Sequence, residues 1–578
     1  MRPVKLPTII ISLIAISLIS CAEPIAYPEA TSMYINGQII TVDDSTGTVE
    51  AIAVQEGRII ALGSHKAVQP YQGEQTAVIN LEGKTMLPGF VDAHSHLSAV
   101  AIQANAANLL PAPDGPVNTI AQLQQALKDY RDNSPIAKKY NLIMGFNYDD
   151  SQLEERRHPT RQELDAVASD IPVFALHQSG HLGVYNSKAL EMAGISADSE
   201  NPPGGIIERE ADGKTPNGVL QETVHFATLF GLIPKFSAEQ YVAFLKGGEA
   251  SYAANGFTTV QDGKTDPTSL QALAAVSQAQ ILALDVVAYP DITKVDFDTT
   301  GYQKLFSTDY TNHFRIGGVK LSLDGSPQGK TAWFTHPYHQ PPASQDDSYA
   351  GYGTLSDEET QKWFNLAYNN NWQLMVHANG DAAIDQFIYS AEKAQAAGGN
   401  TDPRTVLIHG QFLREDQVDK IDQLDIFPAL FPMHTFYWGD WHRDSVAGPE
   451  RAQNISPTGW LLDRNMKFSI HSDAPVTFPN SMRVMHSAVN RTTRSGAILG
   501  ERHRIDPITA IKAMTIWPAY QHFEEHNKGS LAVGKLADLV ILDKNPLTVD
   551  RSEIETIRVL ETIKQGRTVY AADSPTNH

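Results

Sequence analysis

Apolar and polar positions along the chain fall into two regimes. Over residues 33–85, and again near the C-terminal end, short β-prone runs are separated by tight-turn dipeptides. Ser32-Met33-Tyr34-Ile35-Asn36-Gly37-Gln38-Ile39-Ile40 sets an Asn-Gly pair between β-prone flanks, which predicts a hairpin. Ala51 to Leu62 repeats the pattern around Glu56-Gly57-Arg58. Ala537-Asp538-Leu539-Val540-Ile541-Leu542 predicts a strand, and Gln565-Gly566-Arg567 a further hairpin. These two β-rich ends predict one small β-sandwich domain built from residues 31–85 and 530–575.

Between them, strand-length apolar runs alternate with amphipathic stretches. Strands are predicted at Met86–Asp92, Phe257–Asp262, Ile281–Tyr289, Arg315–Leu323, Trp372–His377, Thr405–His409, Ile426–Phe431 and Lys467–Asp473, with helices such as Asp357–Asn370 and Ala382–Ala397. Eight strands alternating with helices predict parallel βαβ units, as a barrel or a doubly wound sheet, over residues 86–529. The long interval after the first strand contains further strand-like runs at Asn141–Asn147 and Ile171–His177. It predicts an inserted α/β subdomain spanning roughly residues 105–250.

Composition narrows the partners. The 578 residues carry 45 Lys+Arg and 66 Asp+Glu, a net charge of −21. Such a surface repels phosphate backbones, so nucleic acid is excluded as an expected partner. The single cysteine, Cys21, forbids an intrachain disulfide. Arg2 and Lys5 precede the apolar run Ile9–Ile19, too short to span a bilayer but suited to a signal-peptide core. Leu18-Ile19-Ser20-Cys21 resembles the lipobox of bacterial lipoproteins, which implies acylation of Cys21 and removal of the residues before it. The expectation is an extracytoplasmic protein held to a membrane by its N-terminal lipid alone, on the periplasmic side or the cell surface.

Candidate chemistry sits where strands end. His94-Ser95-His96 follows Phe90-Val91-Asp92, and histidines at i and i+2 of an extended chain point to one side. With 20 His in 578 residues, about 0.7 such pairs arise by chance, so the pair needs context. Lys320, His377, His409 and Asp473 supply it, each within or at the C-terminal end of an apolar run, the edge at which barrel enzymes place reacting groups. One such residue is ordinarily a core histidine or an ion pair; six in corresponding positions are not. A lysine inside an apolar strand also demands an explanation, because an unpaired buried ammonium is costly.

Leu87-Pro88-Gly89-Phe90-Val91-Asp92-Ala93-His94-Ser95-His96 resembles the opening motif of the amidohydrolase superfamily, and Gly529 to Val540 its C-terminal signature. Gly180-His181, Asn186 to Leu190, Asn201 to Gly205, Val319-Lys320 through Asp324-Gly325-Ser326, and Val376 to Asp381 resemble the YtcJ-like branch, amidohydrolase family 3. The resemblance implies a (β/α)8 TIM-like barrel. It also implies that His94 and His96 bind one metal and His377 and His409 a second. Lys320 would bridge the ions as a carbamate, while Asp473 binds metal and acts as the general base.

Imidazole and carboxylate ligands suit Zn²⁺, with one ion, or two when Lys320 is carboxylated. His181, Glu222 and His434 are candidate substrate contacts, with Asn147-Tyr148-Asp149, Trp438 and Trp441 around them. The leading expectation is a hydrolase of an amide-type C–N bond in a small N-acyl, N-formyl or cyclic amide. Alternatives are a lactone or ester hydrolase, a deaminase, or a ligand-binding surface lipoprotein without catalysis. The sequence leaves the metal, the substrate and a homodimeric state open.

Overall fold

A computed structural model describes residues 27–297, 301–342, 345–398 and 402–572. Cys21 and the leader lie outside the described residues. The fold is α/β. Its parallel strands are β1 (Phe90–Val91), β2 (Phe257–Thr265), β3 (Asp285–Pro290), β4 (Phe314–Ile316), β5 (Gly318–Ser322), β6 (Gln373–Ala378), β7 (Val406–His409), β8 (Phe427–Leu430) and β9 (Ser469–Ile470). They pair in chain order and always parallel, β1 to β4 in one ladder and β5 to β9 in another. Only Gly317 separates β4 from β5. Every residue of β6, β7 and β8 is buried, as expected where both sheet faces are covered and the run reads as continuously apolar.

The intervening helices follow from local signals. Asp357–Asn369 starts at a capping box in which Ser356 and Glu359 satisfy each other's backbone N–H groups. It buries Thr360, Phe364, Ala367 and Tyr368, a single helical face. The insertion forms its own six-stranded sheet, in the order Gly205–Arg209, Pro216–Glu222, Leu182–Tyr185, Val173–His177, Ile143–Tyr148, Ala107–Asn108. Leu109, Leu123, Leu127, Ile143, Val173 and Val184 are among its core residues.

Two expectations are corrected at the β-rich ends. Ser32–Ile35 and Gln38–Ile40 do not form a hairpin. The first pairs with Ala51–Gln55 and Ala77–Asn80, the second with Thr48–Val49 and Thr85–Pro88, in separate sheets. Asn36, at φ 56°, turns the chain from one layer into the other. A two-residue turn signal specifies a corner, but not which strand will satisfy the freed hydrogen bonds. The hairpins at Glu56-Gly57 and Gln565-Gly566 do form, with both turn residues at positive φ.

Met86–Asp92 is likewise two strands. Thr85–Pro88 lies between Gln38–Ile40 and Leu539–Leu542 in a six-stranded sheet drawn from both chain ends. Phe90–Val91 belongs to the parallel array. The switch falls at one residue: the Gly89 N–H donates to Asp538 O at 2.8 Å, and the Phe90 N–H to Gly256 O at 2.9 Å. Gly89 packs against Thr258 with no room for a Cβ.

A buried ion network ties the terminal strands to the parallel array. Asp285 of β3 meets Lys528 and Lys564, Lys564 meets Asp538 at 2.8 Å, and Glu524 joins Lys528 to Arg315. Among the described residues no helix is long and apolar enough to cross a membrane.

Candidate metal and active site

Six side chains from five strand ends converge. His94 and His96 follow β1, Lys320 lies in β5, His377 in β6, His409 closes β7, and Asp473 follows β9. All but His96 are buried. Nε2 of His94 and Nε2 of His96 stand 3.5 and 3.2 Å from Oδ1 of Asp473, and Nε2 of His409 stands 3.9 Å from Oδ2. Lys320 Nζ is 2.9 Å from His94 Nε2, and His409 Nε2 is 3.0 Å from His377 Nδ1.

Outer partners orient these rings. The His94 Nδ1–H donates to Gln261 Oε1 at 2.5 Å and the His96 Nδ1–H to Gly263 O at 2.6 Å, leaving both Nε2 lone pairs facing Asp473. The His377 Nε2–H donates to Gly325 O at 3.1 Å, leaving Nδ1 toward His409. His409 and Asp473 hold φ of 72° and 52°, a left-handed backbone that costs a non-glycine residue about 1–3 kcal/mol and collects at functional sites.

Electrostatics favour neutral nitrogen ligands beside one carboxylate. Burial holds His94, His377 and His409 well below the ordinary imidazole range, with neighbouring Lys320 and His side chains adding to it. Burial likewise drives the Lys320 ammonium down. Burial alone would raise Asp473, but the groups around it, His96 first, outweigh burial and hold its pKa below the ordinary carboxylate value.

These residues fit a divalent cation. His94, His96 and Asp473 offer ligand atoms all within 4.8 Å of one another. Among the described residues, Asp473 Oδ1 and His409 Nδ1 are buried without a hydrogen-bond partner, a cost a native core carries only where another group satisfies it.

The remaining candidates divide. His181 packs its ring on His377 (centroids 4.9 Å), and its Nδ1–H donates to Glu222 Oε2 at 2.8 Å. Glu222 is buried, sits at φ 52° and accepts from Thr331 Oγ1 at 2.8 Å, so this pair borders the cluster. His434 stands one ring further out, behind Phe431, which itself contacts His409 and His471. Nδ1 of His434 meets His442 Nε2 at 2.9 Å, and its ring packs on Phe431 and Trp438. Trp438 donates to Asp149 Oδ2 at 2.6 Å and Trp441 to Gln328 O at 3.1 Å. The Asn147 side chain donates to Pro475 O, joining the insertion to the loop after Asp473.

Three residues of the site went unread in the sequence. His471 is buried, its ring 5.3 Å from His94 and 5.2 Å from His409, and among the described residues neither ring nitrogen meets a hydrogen-bond partner in good geometry. It stands at i and i+2 with Asp473, the same spacing that singled out His94 and His96. Asp324 accepts from the backbone N–H groups of Trp333, Asn379 and Gly380, lies 3.4 Å from His377 Nε2, and is pushed up by burial to about 7. Gln261, inside β2, carried no signal, because an amide in an apolar strand has many structural uses.

The fold and this cluster define a metal-site α/β hydrolase, and the comparisons agree. Residues 77–570 match the amidohydrolase family, so the chain belongs to it. N-substituted formamide deformylase of Arthrobacter pascens is 27% identical over 546 residues, covering 92% of this chain and 97% of that one. The YtcJ protein of Bacillus subtilis is 25% identical over 549 residues, covering 93% and 99%. A solved metal-dependent hydrolase from Pyrococcus horikoshii superposes with TM-score 0.69 at 24% identity, over 90% of this chain and 99% of that one. The protein is thus a hydrolase of the amidohydrolase superfamily, in family 3 with YtcJ.

Proposed function

We propose that this chain hydrolyses an amide-type C–N bond of a small molecule, N-formyl or N-acyl, with a divalent metal held by His94, His96, Lys320, His377, His409 and Asp473. The observation that carries the reading is the convergence of His94 Nε2, His96 Nε2 and the Asp473 carboxylate. We read the ordered parallel strands as a (β/α)8 barrel (residues 86–529), with the insertion bordering its mouth. The chain ends form the composite β-domain.

The bound metal, Zn²⁺ in this reading, supplies Lewis acidity that brings water toward neutral ionisation and polarises the scissile carbonyl. The chain does the rest. Asp473, an ionised carboxylate beside His94 and His96, takes the proton of the attacking water and passes it to the departing amine nitrogen. Lys320, pushed toward its neutral form by burial, would have the free amine that carboxylation requires, and as a carbamate it would add an anionic ligand to the site. His181, oriented by Glu222, stands over His377 to meet the carbonyl or the substituent beside it.

The test is metal per chain, together with hydrolysis of N-formyl and N-acyl amides after Zn²⁺ or Mn²⁺ loading. One or two ions with amide cleavage are expected. A chain that retains no metal and cleaves none of them overturns the reading in favour of a ligand-binding protein. The membrane tether at Cys21 is a separate proposal: Cys21→Ala should release the protein from the membrane fraction, and unchanged sedimentation would remove the lipid.

A further inference from the structure

Lys264 enters neither the metal site nor the ion network described above, yet its backbone is shaped to present it. Strand β2 runs in register with β3 from Thr259–Asp285 to Gly263–Tyr289, then skips to Thr265–Pro290. Lys264 is the bulged residue, at φ 53°. A bulge with a left-handed non-glycine residue re-aims a side chain out of the ladder at a cost, and such features gather beside active sites.

The side chain is half-buried. Its ammonium lies 4.2 Å from the ring centre of Phe226 and, among the described residues, has no ion-pair or hydrogen-bond partner. Phe226 contacts the ring of His181 (5.9 Å), which in turn covers His377. The acid nearest in this group, Glu222, already serves His181 and Thr331. Lys264 thus favours the ionised form of Glu222 from beyond ion-pair distance, and among the described residues no carboxylate closes on its ammonium at the rim of the cluster.

An apolar shelf continues outward from it. Phe226 stacks on Phe230 at 17° and 6.2 Å, and Phe230 is 57% exposed. The two stacked rings together carry apolar surface from the His181 side of the cluster out to solvent.

Resting on the hydrolase reading above, we propose that Lys264 and the Phe226–Phe230 shelf select amides carrying a carboxylate next to an apolar group. The carboxylate pairs with Lys264, the apolar group lies on the shelf, and the scissile amide reaches the cluster past His181. A charge-assisted pair with a partly desolvated lysine gives the anionic substrate its advantage over a neutral amide of the same shape.

The experiment compares N-formylphenylalanine with N-formylphenethylamine, which differ by the carboxylate, on metal-loaded wild type, Lys264→Gln and Lys264→Arg. Wild type should favour the anionic amide in kcat/KM by about tenfold or more. Lys264→Gln should bring that ratio toward one through KM of the anionic amide, and Lys264→Arg should restore part of it. No preference in wild type, or equal losses on both amides in Lys264→Gln, overturns the proposal.

If wild type cleaves neither compound, the hydrolase reading fails on these probes, and calorimetry with 3-phenylpropanoate on the metal-free protein decides the Lys264 proposal alone. An affinity that falls about tenfold in Lys264→Gln sustains it. Equal affinities, or no binding, end it.

Discussion

Nζ of Lys320 lies 2.9 Å from Nε2 of His94, and each residue is only 1% exposed. Two basic groups at that distance, both out of water, cannot both carry a proton, and burial pushes each toward its neutral form. A neutral lysine amine adds CO2 with loss of one proton, turning a misplaced base into an anionic ligand. In ¹³C-bicarbonate, the wild-type protein should show a carbamate resonance that Lys320→Met lacks, and Lys320→Met should bind fewer ions per chain. Identical spectra and identical metal content would remove Lys320 from the site.

Asp473 is a carboxylate held below its ordinary pKa, 3.5 Å from His94 Nε2 and 3.2 Å from His96 Nε2. Asp473→Asn keeps the shape and removes the base. Turnover should fall roughly 10²–10⁴-fold with the fold intact by circular dichroism. Undiminished turnover would assign proton transfer to another group.

Gly263 matters through a close approach. A Cβ there would lie 2.6 Å from Cε1 of His94 and 3.0 Å from Oε1 of Gln261, the group that orients that ring. Gly263→Ala should tilt His94 and weaken metal binding about 10–100-fold. Competition with a chelator measures this directly, and wild-type affinity would show that the ring gives way freely.

Stability toward acid should depend on Glu524. Burial alone would raise its pKa, but Lys528 and Arg315 outweigh burial and hold it at about 2. An unfolded glutamate titrates near ~4.3. Because the folded value is depressed, the stabilisation is complete above the unfolded value and is lost as pH falls through the folded one. Glu524→Gln should be less stable than wild type at pH 7 by about 3 kcal/mol, the two converging near pH 2. Urea midpoints across that range provide the check, and a pH-independent difference would show that the pair acts through packing alone.

Much of this molecule follows from periodicity and local chemistry. The apolar runs ending in His377 and His409 are strands because each is short, β-prone and bounded by turn residues, and burial on both faces keeps them apolar. The six side chains that converge were also visible, because several polar groups at the ends of successive apolar runs are rarely all structural. Family 3 of the amidohydrolases was legible in the motifs around His94, Lys320 and His377.

Tertiary structure alone decided the rest. Whether Asn36-Gly37 closes a hairpin or turns a corner depends on strands distant in sequence, and so does the switch at Gly89 from one sheet to another. It was contact across elements that brought His181 to His377 and set His434 behind Phe431, against His442. Lys264 illustrates the reason most plainly: its proposed role rests on a one-residue bulge and on the Phe226 ring beneath its ammonium. Both are properties of neighbours in space, and a linear pattern records neighbours only along the chain.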